Sequence, residues 1–425
     1  MFNKKWIAGF GITTMLLGSV LTGCSGGGDD TAKEDKNKDA ANEEQVEITL
    51  AGWGSSPEEA DLLKQVLADF EDKHPNIKVK HEVIADQYMD VIKTRLIGGE
   101  GPDVFYLDAF EAPGLIETGV LEPLDEYVNE DFDVEDFEKP LIEAFQKDGA
   151  TYGFPKGYST LALFYNKKMF EEAGVEVPKT WDELREVSKA LTKGTDVYGF
   201  GQNAELARTY FIAESNGGEV VVDNKANFAD PKVVGALQPY VDQHLVDKTA
   251  AQPSDVGAGW TGEMFGQGKA AMVIEGNWAI PYIQNTFPDI EFGTAEVPTI
   301  NGKQGTMAFT VSYVMNAASE KKEAAWELMS YLTGKEGMET WTSKGFELPS
   351  RKSVAEKLGY DKDELRGALV AGAPYATVWS EGTNLPIIFT NFNNQFVSAY
   401  LGDQTLEEAL KAAQETANKE IEAQQ

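Results

Sequence analysis

Four consecutive residues, Val104-Phe105-Tyr106-Leu107, constrain the fold of this chain more than any other feature. The run is short and apolar, bounded by Asp103 and Asp108. A strand of that kind needs both faces covered, as in a parallel sheet flanked by helices. Its neighbours supply the helices. Residues 46–50 (VEITL) alternate and are mostly β-branched, which predicts a strand. Next, Ser56 is placed to cap a helix, Pro57 suits its first turn and Glu59 completes a capping box. Leu62, Leu63, Val66, Leu67 and Phe70 then share one helical face. Residues 77–83 read as a second strand, 88–97 as a second helix closed by Gly98-Gly99, and 113–119 as a further helical turn. This βαβαβ rhythm predicts an α/β fold with an open, mostly parallel sheet.

The rhythm returns downstream. Residues 160–165 read as a strand, and 167–173 as a helix stopped by Gly174. Thr180-Trp181-Asp182-Glu183 forms a capping box leading Leu184, Val187 and Leu191 along one face. Residues 271–275 are a buried strand and 310–315 another. Residues 321–333 are a helix with Trp326, Met329 and Leu332 inward. Thr405 caps a last helix, with Glu408 at its third position. A chain of 425 residues exceeds one ordinary domain. Two α/β lobes with a cleft between them is the economical arrangement. Ligands of open α/β sheets sit outside the carboxyl ends of the strands.

Composition removes several function classes. The chain carries 37 basic and 70 acidic residues, a net charge of −33, which argues against a nucleic-acid partner or an anionic membrane surface. His74, His81 and His244 are the only histidines, little material for a metal site or a Ser-His-Asp triad. The sole cysteine is Cys24, so the folded body has no disulfide, thiolate metal site or cysteine nucleophile. No metal or cofactor is expected. A glycosidase needs two acids about 5–9.5 Å apart, and no short motif singles out such a pair. The glycine-rich pieces at 98–103 and 215–219 lack the spacing of a phosphate-binding loop.

The start of the chain has its own character. Lys4 and Lys5 precede an apolar stretch that is short for a bilayer span, so residues 1–23 read as a secretory signal. Leu21-Thr22-Gly23-Cys24 resembles the lipobox of bacterial lipoproteins. The resemblance implies a diacylglyceryl group on Cys24, giving a membrane contact through lipid alone. Residues 24–45 hold no aromatic side chain and form a disordered tether. Its r.m.s. reach is about 25 Å.

Tryptophan placement points to the site. Trp181, Trp326 and Trp341 lie in helical patterns and suit a core. Trp53, Trp260, Trp278 and Trp379 instead lie in or beside glycine-containing turns, which present an indole better than they bury it. Together they predict an aromatic-lined cleft, where apolar sugar faces stack on rings and polar neighbours bond the hydroxyls. Gln87, Asp108 and Tyr158 supply polar groups near strand ends. Asp108 reads equally well as a helix cap before Pro113.

The chain resembles the extracellular solute-binding proteins of sugar ABC transporters, the family containing maltose/maltodextrin-binding proteins. The matching pieces include Phe70-Glu71 with His74-Pro75, Gly101-Pro102-Asp103-Val104, Tyr152-Gly153-Phe154-Pro155 and Leu163-Phe164-Tyr165-Asn166-Lys167. They continue with Thr180-Trp181-Asp182-Glu183-Leu184, the run Gly268-Lys269-Ala270-Ala271-Met272-Val273-Ile274-Glu275-Gly276-Asn277-Trp278, and Leu348-Pro349-Ser350-Arg351. The resemblance implies two lobes joined by crossing strands, one from residues 46–157 plus 312–358, the other from 158–311 plus 359–425. It implies a stacking role for Trp278, with Asn277 beside it, and a second stacking ring at Phe392, six residues after Pro386. It places Asp108 and Gln87 near the polar contacts. The chain departs from the maltodextrin branch at Ser159, where that branch carries an acid, and at Gly54-Ser55-Ser56, where it carries charges. The resemblance implies an oligosaccharide ligand, no turnover, ABC permease subunits with a cytoplasmic ATPase as partners, and a monomer. It also implies a lipid-anchored place on the outer face of a Gram-positive cell membrane. The competing expectations are an extracellular carbohydrate-active enzyme (a lyase or hydrolase) and a receptor for a non-sugar solute such as a polyamine.

Overall fold

The structure, a computed structural model, describes residues 45–54 and 57–424. Cys24, the tether before Gln45 and the cap expected at Ser56 lie outside the described residues. Among the described residues ten strands join one sheet. They are β1 (Val46–Trp53), β2 (Ile77–Ile84), β3 (Val104–Asp108), β4 (Gly153–Asn166), β5 (Tyr198–Gly201), β6 (Ala250–Ala251), β7 (Ala270–Gly276), β8 (Phe292–Ala295), β9 (Thr306–Met315) and β10 (Ala376–Val378). The order is β6-β5-β7-β4-β9-β3-β1-β2, with β8 on β4 and β10 on β9. One wing, β2-β1-β3, is parallel, and so is the other, β6-β5-β7. The antiparallel strands β4 and β9 join the wings. The expected α/β class with a mostly parallel sheet is the observed one.

The largest departure is the length of β4. The sequence predicts a strand at 160–165, yet β4 starts at Gly153. Phe154-Pro155-Lys156-Gly157 resembles a turn because proline cannot donate to a ladder. It is tolerated here by a bulge: Pro155 pairs with Ser312 and Gly157 with Val311, so Lys156 has no register partner. The Lys156 side chain is buried instead against Glu347, at 2.7 Å, and lies 4.2 Å from the Trp341 ring centroid. An ammonium withdrawn from water needs this kind of pairing. β4 then runs on to pair Leu163 with Ile274 of β7. β4 thus pairs with one wing directly and reaches the other through β9.

Local signals act as read, with small shifts. Gly174 ends the helix Lys167–Ala173 at φ 65°, the left-handed region that glycine enters without a Cβ penalty. The Thr180 hydroxyl accepts from the Glu183 N–H at 3.2 Å, but the Glu183 carboxylate accepts from Lys179, one residue before the cap. Thr405 and Glu408 bond reciprocally. Buried apolar residues form two large cores. One draws on residues 48–154 and 313–354, the other on 161–307 and 379–421. A smaller cluster around Tyr158, Phe164, Phe265 and Leu369 lies with neither.

Candidate functional site

The carboxyl end of β7 carries a buried polar group. Every residue of β7 is buried, and it ends on Glu275 and Gly276. Glu275 Oε2 accepts from the Trp278 indole Nε1–H at 2.9 Å and lies 3.3 Å from Arg208 Nη2. The Thr261 hydroxyl donates to Oε1, and Asn203 Nδ2 donates to Thr261 at 3.0 Å. Gly276 is required here, because a Cβ at that position would meet the Trp278 ring. Arg208, on the helix Leu206–Ser215, donates through Nε to Glu205 at 3.2 Å. Its guanidinium carbon lies 5.2 Å from the Trp278 centroid and 5.7 Å from Phe309. Its Nη1 is buried without a hydrogen-bond partner.

Phe309 of β9 links this corner to a second one. It meets Trp278 edge-on at 6.0 Å. The neighbouring Ala308 carbonyl accepts from the Trp379 backbone N–H at 2.9 Å, because β10 pairs with β9. Trp379 stacks on Phe110 at 5.6 Å and 9° and meets Tyr210 and Phe389 edge-on. Phe110 follows β3, and its N–H donates to Asp108 Oδ1 at 2.8 Å. Burial pushes the Asp108 carboxyl up to about 6, with Glu111 adding and the Phe110 N–H opposing. Next in sequence to this cluster, Glu111, Pro386 and Ile387 help line a groove of about 370 Å³.

The expected residues fall into distinct settings. Trp278, Trp379 and Asp108 gather along β9, whose Val311 is the register partner of Asp108. Trp53 is half-buried and meets Tyr88 and Tyr106 edge-on, each at 5.2 Å. Gln87 is exposed at φ 49° before the helix Tyr88–Ile97, with no side-chain cap bond. Trp260 is half-buried against Tyr282 at 4.9 Å. Four positions expected at a cleft surface lie in the interior. Tyr158 is 3% exposed, in the small apolar cluster, and its backbone bonds Leu348. Asn277 is fully buried; its N–H donates to Ser159 and its Nδ2 to Gly345, while its Oδ1 has no partner. Phe392 is fully buried between Phe228 and Phe396. Trp379 is also buried rather than presented. Asp108 does not cap the helix Ala112–Glu117, whose cap position is Glu111; it holds the turn at Phe110 instead.

Sequence reasoning passed over Arg208, Glu275, Phe309, Phe110 and Phe389. A carboxylate closing an apolar strand three residues before a tryptophan was the available signal for Glu275. Phe389, not Phe392, turns toward Trp379: the two positions lie one turn apart on the helix Leu385–Leu401, and Phe392 packs against Phe228 and Phe396 instead. Nothing in the local pattern marks Arg208. Among the described residues no group of three or more His, Cys, Asp or Glu could hold a metal ion.

Comparison with known proteins agrees with this architecture. The sequence pattern of the family described as bacterial extracellular solute-binding protein matches residues 54–339. The chain is 28% identical to the diacetylchitobiose-binding protein of Streptomyces coelicolor, over the full length of both chains. It is 26% identical to the galactooligosaccharide-binding protein of Bacillus subtilis, over 91% of this chain and 93% of that one. Among solved structures it is similar to an ABC substrate-binding protein of Listeria monocytogenes in complex with cycloalternan. That match has a TM-score of 0.80 at 27% identity, covering 89% of this chain and 99% of the other.

Proposed function

The chain belongs to the bacterial extracellular solute-binding protein family, and from that premise we propose that it is the oligosaccharide receptor of an ABC importer. The observation that carries the reading is the aromatic pair Trp278–Phe309 with the unpartnered Arg208 Nη1 beside it. Rings supply stacking faces for sugar CH groups, and a buried N–H donor without a partner is costly unless a hydroxyl meets it. Relatives named for diacetylchitobiose and galactooligosaccharide support a short neutral oligosaccharide as the ligand class.

The mechanism is capture without turnover. The two large cores serve as two lobes, one of residues 46–157 plus 312–358 and one of 158–311 plus 359–425. The chain crosses between them on β4, on β9 and after the helix Lys352–Leu358, and the Tyr158–Leu348 bridge ties the two together. The lobes rotate about these crossings, and a sugar touching both favours the closed form by its differential contacts. The closed form docks on the permease, and lipid on Cys24 keeps the receptor at the cell surface.

The test is tryptophan fluorescence of the purified protein titrated with maltotriose, diacetylchitobiose, a galactooligosaccharide, a polyamine and buffer alone. The expected result is a saturable change with one sugar, which is recovered intact. Saturation by the polyamine alone, or cleavage of any sugar, overturns the reading.

A further inference from the structure

We propose that Glu275 is a positioning residue of the ligand site, a buried carboxylate that sets the Trp278 ring and the Arg208 guanidinium in one arrangement and thereby selects an uncharged ligand. The proposal deepens the receptor reading and rests on it. Glu275 is fully buried, and a desolvated carboxylate is a poor means of stabilising a core, because apolar residues of similar volume do as well or better. This one collects donors from three separate segments. The Thr261 hydroxyl, the Trp278 indole N–H, Arg208 Nη2 and its neighbour Gly276 N–H all converge on it. The indole N–H bond fixes which way the ring plane faces. The Gly276 backbone lies beneath that ring, so the plane has little freedom left.

The same carboxylate also determines what Arg208 has to offer. Nε is taken by Glu205 and Nη2 by Glu275. Nη1 alone remains, buried and unpartnered, beside the faces of Trp278 and Phe309. A guanidinium between two carboxylates is no receptor for an anion, since its charge is already answered. Its remaining N–H suits a neutral acceptor such as a sugar hydroxyl or acetamido oxygen. Acidic sugars would meet two carboxylates and one spent cation.

The experiment compares wild type with E275Q, which keeps the shape but presents an amide N–H₂ to donors. Two readouts are taken: affinity for whichever sugar of the panel above saturates the wild type, and the near-UV circular dichroism of Trp278, obtained by subtracting W278F. The expected result is an affinity loss of about tenfold or more, the size of one charge-assisted hydrogen bond, together with a changed Trp278 spectrum. An affinity within twofold of wild type, or an unchanged spectrum, overturns the proposal. Tight binding of the uronic-acid counterpart of that sugar by the wild type also overturns it. If E275Q does not fold, T261V removes one donor to the same carboxylate at nearly constant volume and is read the same way. If no panel sugar binds the wild type, the receptor reading fails, and the Trp278 spectrum by itself decides whether Glu275 positions the ring.

Discussion

Trp278 and Trp379 meet adjacent residues of β9, Phe309 through its ring and Ala308 through its backbone, yet they are held by opposite means. Trp278 is half-buried and fixed by directional bonds: its N–H goes to Glu275 and the guanidinium of Arg208 lies over its ring. Trp379 is 6% exposed and fixed by other rings, Phe110, Tyr210 and Phe389. The hydrogen-bond and ring partners of Trp278 come from residues 208–309. Trp379, by contrast, reaches Phe110, which follows β3 and stands between Ala109 and Ala112 of the first core while packing against the second. If the two cores move as lobes, as proposed, a bond-fixed ring keeps its pose when the other lobe moves. A ring-fixed one depends on where that lobe is. On the receptor reading proposed above, the first would recognise the ligand and the second would register closure.

The comparison is broken most directly by truncating each ring. W379A removes a core indole and is expected to cost about 3 to 5 kcal/mol of folding stability, the usual range for a buried tryptophan. W278A deletes a half-buried ring and one donor to the buried Glu275 carboxylate, and is expected to cost about 2 kcal/mol in stability, less than W379A. Its affinity loss is expected to be about 2 kcal/mol, near thirtyfold, as for a central aromatic anchor. Urea unfolding and fluorescence titration of the two variants separate these effects. If W278A is the more destabilising variant, or W379A unfolds at the wild-type midpoint, the division of roles is wrong.

Phe110 sharpens the contrast. F110A removes the stacked partner of Trp379 but leaves the Glu275 corner untouched. An aromatic pair contributes about 0.5 to 1.5 kcal/mol beyond its buried area, so a modest loss of closure is expected. Ligand-free F110A should show a larger radius of gyration by small-angle scattering, with a several-fold weaker affinity and an unchanged Trp278 near-UV spectrum. An unchanged radius would show that the Phe110–Trp379 stack does not bias the lobes.

The sequence carried the fold well and the site partially, for reasons visible in individual residues. The helix at 88–97 and the glycine stop at 174 depend on neighbours in sequence, and both lie where expected. β4 was half missed because Pro155 and Gly157 are local breakers, and only the long-range bulge against Val311 and Ser312 makes them tolerable. Trp278 was legible from its motif. Phe392 and Phe389 share one helix, and choosing between them needs the rotation of that helix against Trp379, which no spacing in the sequence reports. Glu275 looked like one acid among 70. Its role depends on Thr261 and Arg208, which reach it from other helices.

The smallest expected effect separates two carboxylates, Glu275 and Asp108. Glu275 is met by four donors, whereas Asp108 accepts the Phe110 N–H and is otherwise held by burial, which pushes it up to about 6. Its unfolded value lies near 3.9. A group raised on folding contributes its stabilisation below the unfolded value and loses it as pH rises through the folded one. Between pH 4 and 6 the unfolded chain ionises Asp108 first, so wild type should lose stability relative to D108N. Above about pH 6.5 the difference should be flat. Since the side chain is partly reachable by water, the loss is expected on the order of 1 kcal/mol, less than the full shift would give. Urea midpoints of both proteins at pH 4, 5, 6 and 7 measure it. A difference that stays constant over that range would mean that water reaches Asp108 freely. The turn holding Phe110 against Trp379 would then be looser than its packing implies, and the ring-fixed corner would lose the rigidity on which its closure role depends.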